Sequence, residues 1–281
     1  MKYYRIMTIL WFCICLAIMA SAQSTFTLRP ADQSLSKSEL QYAGEIIEQR
    51  LSAAQVELLT IETHPNDLKV VLRSEISPEY LKLLLTTRGD IQFRPALDRD
   101  AFEQIISGYE AISALVDSLE RVAPESSTDD YLLEMETKQS AHILKRVNQM
   151  MSKPLAGQLE IVEDLPDASG KIRLYGLPKT DTMQLGREDI ADIRMEQTSG
   201  GDRIWIDLSE VGAKKFATMS EQQLHKTIAV IIDDLVIMAP RVHEVMTGDK
   251  VQITGLWQEG GDRVLYAILS TDILPAVFKV Q

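Results

Sequence analysis

Cysteine is almost missing from this chain. Its two copies, Cys13 and Cys15, fall within the first 22 of 281 residues. A chain shortened by that segment has no thiol for a disulfide, a nucleophile or a zinc site. Histidine is scarce as well: His64, His142, His225 and His243 lie in different predicted elements, with no grouping that suggests a triad. No GxSxG elbow, phosphate-binding glycine loop or HExxH helix occurs. These absences make an enzyme the weakest of the function classes, and they predict no catalytic residue, no metal and no cofactor. Positive charge is in deficit, with 29 Lys and Arg against 41 Asp and Glu and a net charge of −12. A surface of that sign repels phosphate backbones, so nucleic acid is not expected as a partner. Beyond residue 22 no apolar run reaches the roughly 20 residues that cross a bilayer.

The start of the chain has a three-part pattern. Lys2 and Arg5 precede an apolar run from Ile6 to Met19, and Ala20-Ser21-Ala22 supplies small residues ahead of Gln23. That is the layout of a secretory signal peptide, with cleavage expected after Ala22 and a periplasmic product; the alternative is an uncleaved signal anchor in the inner membrane. Loss of Lys2 and Arg5 leaves 27 basic residues against 41 acidic ones, a net charge of −14 on 259 residues. That length allows two modest cores.

Residues 23–97 read as one α+β unit. STFTL alternates as a strand, and Leu40, Ala43, Ile47, Leu51 and Ala54 share one helical face. Ser36 and Glu39 have the spacing of a capping box. VELLTIE and LKVVL are strand-like, Ser77-Pro78 opens a second helix that Gly89 ends, and IQFRP follows as a closing strand. The order β-α-β-β-α-β is that of a ferredoxin-like subdomain. Residues 98–155 turn helical: Phe102, Ile105, Ile106, Tyr109, Ile112, Val116 and Leu119 recur at helical spacing, and a second run ends in Ile143, Leu144, Val147 and Met150. This predicts a helical-hairpin insertion packed on a sheet. From residue 156 to 281 strands return, with a helix capped by Ser209, a last helix in GGDRVLYAILS and a final strand in LPAVFKV returning toward the first subdomain.

Asp233 and Asp234 stand between IAVII and LVIM. Two residues between β-rich runs is the length of a tight hairpin loop, and aspartate tolerates the positive φ such loops require. Further ligands at metal-binding spacing are missing, so the pair is read as a turn rather than as a metal or acid-base site.

The run from Arg203 to Gly255 resembles the head of the first periplasmic domain of SecD, the accessory subunit of the Sec protein-translocation machinery. The likeness rests on Glu210-x-Gly212-Ala213-x-x-Phe216, the turn with Asp233, Ala239-Pro240, Gly248, Ile253-Thr254-Gly255, and Leu274-Pro275. Upstream, GEIIEQRLSAAQVELLTIE, LKVVL and TTRGDIQFRP are similar to the base of the same domain. Asp234 departs from the family, which usually has a glycine there. The resemblance implies an α+β fold with a base and a head, and a non-enzymatic protein that binds translocating, unfolded polypeptides or Sec translocon subunits and so assists export. The alternative is an envelope interaction or structural module that keeps the fold without the role. Met238, Met246, Trp257 and Tyr266 are the candidate contact residues, because flexible methionines and amphipathic aromatics suit adaptable surfaces.

Overall fold

A computed structural model describes residues 22–31, 34–110, 113–114, 131–136, 145, 149, 157–167, 169–179, 183–198, 201–254 and 260–281. The expected signal segment up to residue 21, together with Trp257 and Gly255, lies outside the described residues, as do Ile112, Val116, Leu119, Ile143, Leu144, Val147 and Met150 of the helical runs. No helix among the described residues is long and apolar enough to cross a membrane. The chain divides into two compact units, one of Met1–Thr86, Glu259–Ala267 and Leu274–Gln281, the other of Thr87–Gln258 and Ile268–Ile273.

In the first unit, β1 (Ala22–Pro30), α1 (Lys37–Ala53), β2 (Glu57–Thr63), β3 (Leu68–Ser74) and α2 (Pro78–Thr86) are joined by β13 (Phe278–Val280). The sheet runs β13-β1-β3-β2 and is antiparallel throughout, the strand arrangement of a ferredoxin-like subdomain. Helix α1 begins where its first N–H groups find partners: Ser36 Oγ accepts the Glu39 N–H, and the Glu39 carboxylate accepts the Ser36 N–H at 2.7 Å. Leu40, Ala43, Ile47, Leu51 and Ala54 are all buried, as their spacing predicts. Arg50, on the same helix, is also fully buried and donates to the Leu84 carbonyl at 3.3 Å, tying α1 to α2.

The closing strand of this sheet differs from the expected one. IQFRP does not complete it; those residues open β4 (Ile91–Ala96), which pairs antiparallel with β10 (Thr227–Ile232) in the second unit. The vacant edge beside β1 is taken by β13, whose Phe278 is buried. Both strands are short and apolar, so periodicity alone does not say which of them lies beside β1. Residues 23–97 are therefore not one unit, and the change comes after Thr86.

The second unit holds a six-stranded sheet in the order β4-β10-β11-β6-β7-β5 and a three-stranded sheet in the order β12-β9-β8. Its strands are β5 (Leu133–Glu136), β6 (Leu159–Asp164), β7 (Lys171–Pro178), β8 (Ile190–Thr198), β9 (Gly201–Leu208), β11 (Leu235–Met238) and β12 (Lys250–Thr254). Its helices are α3 (Arg99–Ile106), capped by Asp98, and α4 (Glu210–Gln222), capped by Ser209. The division between units falls inside α5 (Gly261–Ser270), after Ala267. The insertion 98–155 is not helical throughout. Residues 133–136 form β5 and pair with β7, because Leu132 and Met135 complete an apolar cluster with Phe102, Ile106, Leu159, Ile161, Ile172 and Leu174. TSGGDR is a hairpin connection, with Thr198 opposite Gly201 between β8 and β9.

Candidate functional site

Of the residues singled out by sequence, Gly212 and Phe216 lie on α4, Asp233 and Asp234 form the β10–β11 turn, and Met238 lies on β11. Helix α4 starts with Ser209 Oγ accepting the Gly212 N–H at 3.0 Å, the first of its otherwise unpaired donors. Gly212 is required by space, since a Cβ there would collide with the Asp189 carbonyl oxygen. That oxygen already accepts the Ser209 N–H at 2.8 Å. The buried Asp189 carboxylate accepts the Gly186 N–H at 3.1 Å and pairs with the Lys215 ammonium at 2.8 Å. One turn along α4, Phe216 meets Phe93 of β4 edge-on at 5.8 Å.

All six residues of β10 are buried, and Ile232 faces Leu235 across a two-residue turn. Asp233 takes φ +55°, so the turn reading holds. Asp233 is more than a turn residue, however. Its carboxylate accepts the backbone N–H of Arg88 at 2.7 Å and of Asp90 at 3.0 Å, with Gly89 at 3.4 Å, and its own N–H donates to the Asp90 carbonyl at 2.9 Å. Burial pushes the Asp233 carboxyl above the ordinary aspartate range, against the pull of those three N–H groups. Asp234 beside it is exposed. The Arg187 guanidinium donates to the Gly89 and Thr271 carbonyls, and burial lowers its pKa.

Three of the four candidate contact residues are described, each on a different segment. Met238 is half-buried on β11 opposite Val230, and Tyr266 is half-buried on α5 in the stretch assigned to the first unit. Trp257 lies outside the described residues. Met246 is exposed, its N–H donating to Ser220 Oγ at 2.8 Å in the last turn of α4. Leu224 and Val245 are exposed apolar residues near it in sequence or on the same helix end, at 38% and 40% accessibility. Leu224 bridges Val242 just past α4, so the segment 242–246 runs along that end of the helix. Of the motif residues, Pro240 is exposed with its carbonyl accepting the Ile228 N–H at 3.1 Å, Gly248 is exposed, and Pro275 is half-buried.

Two clusters escaped sequence reasoning. On the outer face of the three-stranded sheet, Trp205 donates its indole N–H to Glu196 at 2.9 Å beside an Arg194–Asp207 pair at 2.6 Å. At the β6–β7 hairpin, Asp164 accepts the Arg173 N–H at 2.6 Å, and the Arg173 guanidinium reaches Asp164, Asp167 and Glu134 while lying 5.4 Å over the Tyr131 ring. Burial pushes Asp164 up to about 6, outweighing the Arg173 backbone bond and charge. Burial together with the Asp164 charge raises Tyr175. The alternation in RIWIDL and KIRLYG marks these residues as strand, but cross-strand register alone decides which charges meet.

Residues 174–276 match the family described as SecDF, P1 head subdomain. Over that span the chain is similar to a SecDF P1 head. The matched segment includes β8, β9, α4, the Asp233 hairpin and β12, the elements on which Gly212, Phe216 and the Asp189 contacts lie. The protein translocase subunit SecD of Acidaminococcus fermentans is 29% identical over 174 residues, covering 56% of this chain and 40% of that protein. The SecDF of Thermus thermophilus is 29% identical over 93 residues, covering 33% of this chain and 13% of its own length. The chain thus spans less than half the length of these SecD and SecDF relatives. Among solved structures, one of SecDF described as a membrane component that enhances protein export covers 92% of this chain and 97% of its own at 19% identity, with a TM-score of 0.47.

Proposed function

We propose that this chain acts in protein export as a non-enzymatic, periplasmic domain that binds polypeptides in translocation or docks on Sec translocon subunits. The observation that carries this reading is the P1 head match over residues 174–276. The similarity to a protein translocase subunit SecD over 174 residues supports the same reading. Met246, with Leu224 and Val245, is the apolar contact surface of the head, and the exposed methionine adapts to varied side chains. Met238 and Tyr266 are half-buried and contribute less.

The test places a photo-crosslinking residue at Met246 in the tagged chain, expressed in its native cells, and identifies the adducts by mass spectrometry. Sec subunits or exported proteins still carrying their signal sequences are the expected products. Reproducible adducts with envelope proteins alone, and no Sec component, would overturn the reading in favour of an envelope interaction module.

A further inference from the structure

We infer that the outer edge of β8 is a strand-addition site for an extended polypeptide with apolar residues at alternate positions, which rests on the reading just given and locates its binding surface. The longest sheet edges set β8 apart. Strand β5 has four residues, β13 three and β12 five, β2 has seven with an irregularity in pairing between Leu58 and Thr60, and the outer edge of β4 is met by Leu185, which exchanges backbone hydrogen bonds with Phe93 at 2.9 and 3.1 Å. Strand β8 has nine residues and, among the described residues, a single neighbour, β9.

The pairing register identifies the groups that the edge offers. Ile193 N–H is turned away from β9 and accepted by the Asp192 carboxylate at 2.9 Å. Hydrogen-bonding direction alternates along an antiparallel strand, so the N–H and C=O of Met195 and Gln197 point to the same open side. No backbone group among the described residues outside the β8–β9 ladder bonds to Ile193, Met195 or Gln197. Donors and acceptors at two-residue intervals are matched by another extended backbone and by little else.

Natural edges are commonly blocked by proline, bulges or charges. Between Ile190 and Thr198 there is no proline, and the one irregularity in pairing lies at the Ile190/Asp192 end, leaving Ile193 to Thr198 in regular register. Arg194 and Glu196 are engaged across the sheet, with Asp207 and Trp205, while Asp192 pairs with Arg194 and takes the Ile193 N–H, so the open groups of the edge are those of Met195 and Gln197. The opposite face continues an apolar row: Ile193 and Met195 pair with Ile206 and Ile204, both buried, while Met195 is left half-covered at the rim. An added strand would set its own side chains beside Ile193 and Met195 at every second residue, which defines the apolar alternation of the ligand. A second copy of this chain is the poorer occupant, since it would bring together two molecules of net charge −12.

The probe is a fluorescein-labelled nine-residue peptide of alternating valine and threonine, titrated with the purified chain and read by fluorescence anisotropy. Met195→Pro removes an outward N–H and obstructs a new neighbour without taking a hydrogen bond from β9, as edge strands tolerate. The expected result is binding that weakens about tenfold or more in Met195→Pro. Met195→Ala, which keeps the backbone groups, should lose less, and a peptide N-methylated at alternate residues should not bind the unaltered chain. The N-methylated peptide also tests the site independently of how well the proline variant folds. Equal binding by Met195→Pro, or binding of the N-methylated peptide, overturns the edge site and leaves the export reading standing on the Met246 surface. A chain that binds neither this peptide nor a chemically unfolded protein overturns both. A concentration-dependent dimer in sedimentation, abolished by Met195→Pro, would make a second copy the occupant and overturn the polypeptide assignment.

Discussion

Replacing Asp233 with glycine separates two accounts of the β10–β11 turn that make opposite predictions. A residue present only because φ is +55° is better served by glycine, which avoids the roughly 1 kcal/mol or more that an L-residue pays in the left-handed region. Asp233, however, also accepts the Arg88 and Asp90 N–H groups at 2.7 and 3.0 Å. Hydrogen bonds to a charged acceptor are each worth about 1.5–3 kcal/mol. The raised Asp233 pKa means that burial outweighs these bonds for the charge itself, so the low end applies and the loss comes from the two N–H groups left without an acceptor, about 3 kcal/mol for the pair. Subtracting the conformational relief leaves a net loss of about 2 kcal/mol. With a urea m-value of about 2 kcal/mol/M, the midpoint should fall by roughly 1 M with m unchanged. Trp205, in the second unit, makes tryptophan fluorescence a suitable probe. Asp234→Gly is the control: Asp234 is exposed and does not have a positive φ, so its midpoint should move by no more than about 0.5 kcal/mol equivalent. Asp233→Gly as stable as the unaltered chain would refute the anchoring role and return Asp233 to a simple turn residue.

Two further substitutions test the second unit. Asp164→Asn should stabilise the chain at pH 7.5, with the difference shrinking as pH falls from about 6 toward 4: the folded-state pKa of about 6 lies above the unfolded value, so stability is lost as pH rises through that window. Paired thermal melts at pH 4.5 and 7.5 measure it, and a difference independent of pH would contradict the assignment. Gly212→Ala should cost about 2 kcal/mol or more, because its Cβ meets a backbone oxygen that has no rotamer by which to withdraw; chemical denaturation measures the loss, and an unchanged midpoint would contradict the close approach.

Local signals proved readable wherever a neighbour within a few residues settles the structure. The Ser36–Glu39 capping box, the Ser209 cap, the α1 apolar face and the Asp233 turn length all depend on contacts within one or two turns of chain. The P1 head resemblance was likewise legible, because its glycines, phenylalanine and turn have fixed spacing in sequence. The candidate contact surface was not. Met246 is exposed while Met238 and Tyr266 are half-buried, a distinction set by which side of β11 and α5 meets the core.

The sequence by itself determined the α+β class, the placing of most strands and helices, and the spacing that marks the head, since apolar period and capping act through adjacent turns of one segment. Tertiary structure decided the partners. It set β13, rather than β4, beside β1, made residues 133–136 a strand, gave Asp233 three N–H groups from a segment more than 140 residues away, and placed β8 at the end of its sheet among the described residues. Each of these depends on which strands exchange hydrogen bonds across long stretches of chain, and short apolar strands of similar composition do not encode that choice locally.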